Sequence, residues 1–237
     1  MKHLIALVFG MATGAALAAL VVYFATAGSS GFGELPSGGE EQIDLSFSAV
    51  PEDTILFTND GESPIPPHPG KVLQLWEPTI TETSTLVTTL RNKRGEHEGL
   101  GIKFSSLSED TSVLNGEFLA DSVWFVYLPG RGTMLIEQSE NYWNFLRDIV
   151  APAHWNSGDS WRGNWRGTIT SGPDPLGYAI VHGGSGSFED LEAEATESLA
   201  ASAYSALRGP VAVEGHLVVT LPSGQTALNG TAQNASR

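Results

Sequence analysis

The sequence predicts an all-β fold: a closed antiparallel barrel of about eight strands with one short helix, preceded by a single N-terminal transmembrane helix. Three observations lead there. Apolar and polar residues alternate through a series of strand-length runs. Short turns rich in Gly, Pro, Ser and Asp separate those runs. One long uncharged apolar stretch, residues 4–27, stands apart at the N-terminus.

That stretch is 24 residues long and exceeds the ~20 residues needed to cross the hydrocarbon of a bilayer. Lys2 is the only charged side chain before Glu34, and the next basic residue is Lys71. The positive-inside bias keeps the N-terminus cytoplasmic and sends the remainder to the periplasmic or extracytoplasmic side. A cleaved signal peptide is the rival reading, because Ala25-Thr26-Ala27 has the small-x-small form of a cleavage site. The expected organisation is an anchor or signal at 1–27, a flexible Gly/Ser linker at 28–41, a β-barrel domain at 42–222 and a polar tail at 223–237.

Within the domain, residues 43–50 place Ile43, Leu45, Phe47 and Ala49 on one face and Asp44, Ser46 and Ser48 on the other. Residues 61–70 hold Pro64, Pro66, Pro67 and Pro69 and predict an extended loop, since proline donates nothing to a ladder. Residues 79–91 are rich in Thr, Val and Ile, which suit a pleated surface. Leu100, Ile102 and Phe104 alternate with Gly101, Lys103 and Ser105. From 114 to 128 one parity reads Leu114, Phe118, Ala120, Trp124, Val126 and Leu128. Residues 133–138, 161–169, 178–182 and 211–221 complete the strand candidates. Residues 140–150 predict a short helix, with Ser139 able to cap it and Pro152 to stop it. Residues 188–207 are ambiguous. Their Ala, Glu and Leu content and the spacing of Phe188, Leu191, Ala195 and Leu199 favour helix, while Leu191, Ala193 and Ala195 also alternate with Glu192, Glu194 and Thr196.

Composition excludes several function classes. Of the 12 basic residues, 11 lie beyond the apolar run with all 27 acidic ones, a net charge of −16 on the exported part. Such a body repels phosphate backbones, so nucleic-acid binding is not expected. There is no cysteine, hence no thiolate catalysis, disulfide or Cys-ligated metal. Glu96-His97-Glu98 cannot chelate as a unit, because neighbours on a strand point to opposite faces, and it reads as a charged turn. No phosphate loop, nucleophile elbow or HExxH motif is present. No metal and no cofactor are expected.

The segment Ile180-Val181-His182-Gly183-Gly184-Ser185-Gly186-Ser187-Phe188-Glu189-Asp190-Leu191, with the upstream strand Gly132-Thr133-Met134-Leu135-Ile136-Glu137-Gln138, resembles allene oxide cyclase-like and dirigent-like β-barrels. The resemblance spans roughly residues 132–221. The glycines allow a tight reversal because they reach positive φ without a Cβ clash. The resemblance implies an eight-stranded barrel with a mostly apolar cavity, turns 188–207 into a strand, and implies cyclisation or radical steering without metal or cofactor.

The candidate sites follow from side-chain chemistry. Trp143, Trp155, Trp161 and Trp165 fall within 23 residues. Trp143, Trp161 and Trp165, together with Tyr178, are the candidates for lining a ligand pocket, the alternative being that they plug the core. Glu137, on the apolar strand Met134-Leu135-Ile136, is the candidate catalytic carboxyl if it points into the lumen, where its pKa would rise; the alternative is an outward residue in ordinary alternation. The leading expectation is a membrane-tethered barrel that binds a small hydrophobic molecule. The alternatives are a cofactor-free cyclase or isomerase and a non-catalytic envelope scaffold. A homo-oligomer stays open.

Overall fold

Strand β1 (Gln42–Ser48) buries Ile43, Leu45 and Phe47 and leaves Asp44, Ser46 and Ser48 half-exposed, as its alternation predicts. The same two-residue period builds the rest of the sheet in the computed structural model, which describes residues 41–59 and 83–222. The other strands are β2 (Leu56–Asn59), β3 (Thr83–Arg91), β4 (His97–Leu107), β5 (Leu119–Leu128) and β6 (Gly132–Asn141). After a helical segment come β7 (Ser160–Thr168), β8 (Thr170–Gly172), β9 (Ala179–Gly186), β10 (Glu192–Ser205) and β11 (Gly209–Thr220). All pairings are antiparallel.

The strand order is β1-β11-β10-β9-β6-β5-β4-β3, with β2 beside β3. A single pairing of Ser46 with Arg91 joins β1 to β3, so eight strands form a closed ring. One wall is divided. β9 pairs with residues 132–137 of β6 and 192–195 of β10. Beyond it, β8 pairs with Ser139 and Glu140 of β6, and β7 with residues 198–205 of β10. Ile169, between β7 and β8, closes the gap: its N–H donates to the Glu197 carbonyl at 2.9 Å and its carbonyl accepts from Asn141 N–H at 2.7 Å.

The interior divides likewise. The larger apolar cluster gathers Ile43, Leu45, Phe47, Leu90, Trp124, Val126, Leu128, Met134, Ile136, Val181, Leu217 and Val219, among others. Phe47 meets Trp124 edge-on, centroids 4.8 Å apart. Gly215 makes room for it, since a Cβ there would lie 2.1 Å from the Phe47 ring. The smaller cluster joins Ile149, Ile169, Leu199, Ala201 and Val213, with Phe145, Trp161, Trp165 and Tyr204 packed against it.

Within residues 188–207 the strand that the resemblance implied is present over 192–205, as β10, with turns on either side. Ala195, Glu197, Leu199 and Ala201 face inward on β10, so packing on both neighbours overrides helical propensity. Four expectations are corrected. On β4 the inward residues are Gly101 and Lys103, while Phe104 is exposed, so the apolar parity faces out. Leu114 lies outside β5, in a one-turn 3-10 helix (Val113–Asn115), and is exposed. The helix starts later than expected: α1 (Trp143–Phe145) runs through a π-helical turn (Leu146–Val150) into α2 (Ala151–Trp155). Ser139 belongs to β6, and Asn141 Oδ1 takes the capping part by accepting from Trp143 N–H at 2.9 Å. Pro152 sits in the first turn of α2 instead of stopping the helix, because its ring needs no donor there. The glycine run does not make the turn either. Gly183-Gly184-Ser185-Gly186 belongs to β9, and the chain reverses at residues 187–190, where Asp190 has φ 58°.

Among the described residues, no helix is long and apolar enough to cross a membrane. The expected anchor at 1–27, the Pro-rich loop and the tail lie outside the described residues.

Gly183 is needed for close approach: an added Cβ would lie 1.6 Å from the Phe188 carbonyl oxygen, a backbone atom with nowhere to go. G183A is expected to cost about 3 kcal/mol or more, read by urea unfolding against the wild type.

Candidate functional site

Between the two apolar clusters lies a layer of polar side chains. It is built by inward parity on four strands: Lys103 from β4, Ser122 from β5, Gln138 and Glu140 from β6, and Glu197 from β10. Three of them neighbour apolar inward residues of the same strand: Trp124 beside Ser122, Ile136 beside Gln138, Ala195 and Leu199 beside Glu197. Thr170 of β8 and Tyr142, just ahead of α1, complete it.

Glu140 and Glu197 are respectively 0% and 1% exposed, and Lys103 is 6%. Burying an isolated carboxylate is prohibitive, so pairing decides whether the fold exists. The Lys103 ammonium reaches both acids. It meets Glu197 Oε1 at 2.8 Å and Oε2 at 3.0 Å, and Glu140 Oε1 in a closer contact. It also stands 5.4 Å from the centroid of the Trp124 ring. Trp124 Nε1–H donates to Glu197 Oε2 at 2.8 Å, and Gln138 Nε2 donates to the same oxygen and to Glu140 Oε1, each at 2.5 Å. Ser122 Oγ donates to Glu140 Oε1 at 3.0 Å, and Tyr142 donates to Glu140 Oε2 at 2.8 Å. Thr170 Oγ1 fixes the Gln138 amide by donating to its Oε1 at 3.0 Å, and accepts from Glu197 N–H at 2.6 Å. Among the described residues, no buried side-chain polar atom is left without a partner.

The charges are unequal: two carboxyls face one ammonium. Burial pushes the Glu140 carboxyl up; Lys103 pulls it back, and the like charge of Glu197 adds to the rise. Burial and then the charge of Glu140 hold the Tyr142 phenol well above the tyrosine range. For Lys103, burial acts downward, but the attraction of Glu140 and Glu197 outweighs it and the ammonium ends well above the ordinary lysine range. A proton taken up by Glu140 has one natural seat. Glu140 Oε1 already accepts from Lys103, Ser122 and Gln138, all donors. A proton on Glu140 therefore belongs on Oε2, which faces the Tyr142 hydroxyl and, at 3.5 Å, Ser105 Oγ.

The residues singled out from sequence lie elsewhere. Glu137 is exposed on the outer face of β6, because its parity is that of Leu135, not of Ile136. Of the two readings open for it the outward one holds, and the inward carboxyl of that strand is Glu140. Trp161 and Trp165 share a face as expected and pack on the smaller cluster, Trp165 also donating to Asp148 Oδ2 at 3.2 Å. Trp143 lies over Gly116, Tyr178 is half-buried ahead of β9, and Trp155 is 85% exposed. The signal for the missed residues was parity itself. Met134 and Ile136 point inward, so Gln138 and Glu140 must too, and Ala195 and Leu199 carry Glu197 with them.

No protein-family model matches the chain, and neither does any curated protein. Among solved structures, the chain is similar to the crystal structure of the Diels-Alderase AbmU from Streptomyces koyangensis, at 11% identity and a TM-score of 0.36. The match covers 79% of this chain and 72% of that one.

Removing the ammonium leaves two buried acids without their counter-charge. K103M is expected to cost about 3–5 kcal/mol in urea unfolding, and the triple variant K103M/E140Q/E197Q to recover a large part of it. The raised pKa of Glu140 also sets a pH dependence. A carboxyl that titrates higher in the folded chain than in the unfolded one contributes stability that is full below the ordinary carboxyl range and lost as pH rises through its folded pKa. The wild-type Tm minus that of E140Q is therefore expected to fall between about pH 4 and pH 8, measured by thermal unfolding at both ends.

Proposed function

We propose that this chain is a membrane-tethered, extracytoplasmic β-barrel that carries out cofactor-free cyclisation or isomerisation of a small hydrophobic substrate by acid assistance from its interior. The observation that carries the reading is the Lys103–Glu140–Glu197 triad with the Tyr142 phenol against Glu140 Oε2. Perturbed acids buried next to specific charge partners are the groups expected of a general acid. The likeness of residues 180–191 to allene oxide cyclase-like and dirigent-like barrels agrees with this chemistry. The tether rests on the uncharged run at 4–27.

In this reading Glu140 holds its proton on Oε2 and donates it to the phenol oxygen, the reverse of the bond that the ionised carboxylate accepts, which frees the Tyr142 O–H for the substrate. As the Tyr142 O–H gives its proton to an oxygen of the substrate, the Glu140 proton moves to the phenol oxygen. Tyr142 never becomes a phenolate, and Glu140 becomes a carboxylate beside Lys103. Return of the proton by the same path after ring closure or double-bond migration restores the site, so no net proton is consumed. Gln138 and Trp124 hold Glu197 as the permanent counter-charge of Lys103. Tyr142 and Thr170 are the half-buried members of the layer, and of the two Tyr142 is the one whose hydroxyl meets Glu140.

A second reading, a non-catalytic scaffold, is favoured by one observation: every described buried side-chain polar atom is already satisfied within the protein. The two separate experimentally. Native mass spectrometry of the protein from the cells that make it is expected to show a bound small molecule. Incubation with an extract of those cells is expected to convert a small hydrophobic component, seen by liquid chromatography–mass spectrometry as an isomer of unchanged mass. Y142F is expected to slow that conversion by about 100-fold while retaining the wild-type Tm to within a few degrees. Absence of both a bound molecule and an isomerised product would leave the scaffold reading standing.

A further inference from the structure

A second place in the molecule combines charge, aromatic surface and a recess. It lies where the start of β7, the end of β10 and the turn into β11 meet. There Trp161, Arg162, Tyr204, Leu207, Arg208 and Val211 line an open groove of about 300 Å³. That volume is at the lower end of small-molecule sites.

Its chemistry runs against that of the protein as a whole. The chain carries 12 Lys and Arg against 27 Asp and Glu, yet two arginines line this groove with one carboxylate, Asp159. Among the described residues neither Arg162 nor Arg208 forms an ion pair. Leu207 is 83% exposed and Val211 38%, apolar surface left facing water at the mouth. Behind the mouth, Trp161 and Tyr204 are half-buried and pair across β7 and β10, their backs on the smaller apolar cluster.

The frame is held by backbone. Asp159 has φ 48°, an unfavourable conformation for a residue with a side chain, and its carbonyl accepts from Ala206 N–H at 2.9 Å. Asn156 Nδ2 donates to the Ser160 carbonyl at 3.2 Å, and Ser205 Oγ accepts from the N–H groups of Leu207 and Arg208, each at 3.3 Å. The turn that presents Arg208 is thus fixed to the strand that presents Arg162.

We propose that this groove binds a small organic anion with a flat apolar body. Its carboxylate or sulfonate lies between Arg162 and Arg208, and its ring lies against Trp161 and Tyr204. Guanidinium groups match a carboxylate in two parallel hydrogen bonds, and aromatic side chains give a flat ligand area at little entropic cost. An acidic protein repels anions in general, so the paired arginines make binding local to this recess. The site is separate from the Lys103 layer and does not depend on the activity proposed for it.

The test is isothermal titration of the full-length chain with 2-naphthoate and with 2-naphthylmethanol, its uncharged counterpart. Binding of 2-naphthoate is expected, weakened about tenfold or more in R162Q/R208Q and unchanged in R166Q, whose arginine lies on β7 outside the groove. The alcohol is expected to bind about tenfold more weakly than the acid. No binding of 2-naphthoate up to about 10 mM, equal affinity for the alcohol, or full affinity in R162Q/R208Q would each overturn the proposal.

Discussion

The interior of the ring is organised around one ammonium shared by two buried carboxyls. Without Lys103, Glu140 and Glu197 would stand as unneutralised charge in a medium where such charge is far more costly than in water. With it, the layer still holds more acid than base, and the remainder is met by donors: Trp124, Gln138, Ser122 and Tyr142. Each comes from a different turn of the alternation, so the layer ties β4, β5, β6 and β10 into one register. A slip of one residue on any of these strands would turn a member outward and strand its partners.

This layer also accounts for the divided wall. The pairing of β9 with β6 stops at Glu137, just before Gln138 and Glu140, and β8 takes its place beside β6. Thr170, at the start of β8, supplies the hydroxyl that Gln138 and the Glu197 backbone require. Ile169 fastens the same point to both β6 and β10 and seals the layer from the side of the smaller cluster. An apolar core of the same volume would pack at least as stably. A fully partnered charged layer is a costlier solution, and that cost is the physical argument for a use beyond packing.

The outer surface has its own asymmetry. β4, β5 and β6 carry an outward row in which Ile102 pairs with Phe125 and Phe125 with Leu135, flanked by the exposed Phe104 and Tyr127. That row explains why the apolar parity of β4 misleads. Apolar side chains on a strand turn inward only when the other parity has no better reason to be inside, and here Lys103 has one: its two carboxyl partners lie across the ring.

Sequence alone determined the period of the chain. Ile43, Leu45 and Phe47 on β1, Trp124, Val126 and Leu128 on β5 and Leu217 and Val219 on β11 announce their buried face, because a two-residue repeat is a local property of extended backbone. The charged reversal beside Glu96 was legible for the same reason, its residues settling their hydrogen bonds with Asn92 next door, although His97 and Glu98 themselves open β4. What tertiary structure decided was which parity faces in when charge is involved, and which segment is helix when propensity and alternation disagree. Lys103 reads as a solvated lysine until Glu140 and Glu197, 37 and 94 residues further on, are brought to its ammonium. By propensity alone residues 192–205 favour helix, and β7, β9 and β11 offer them the edges to pair with that make them strand. Both outcomes depend on contacts between residues remote in sequence, and the free energy of burying a charge or pairing a strand belongs to those contacts, not to any residue by itself.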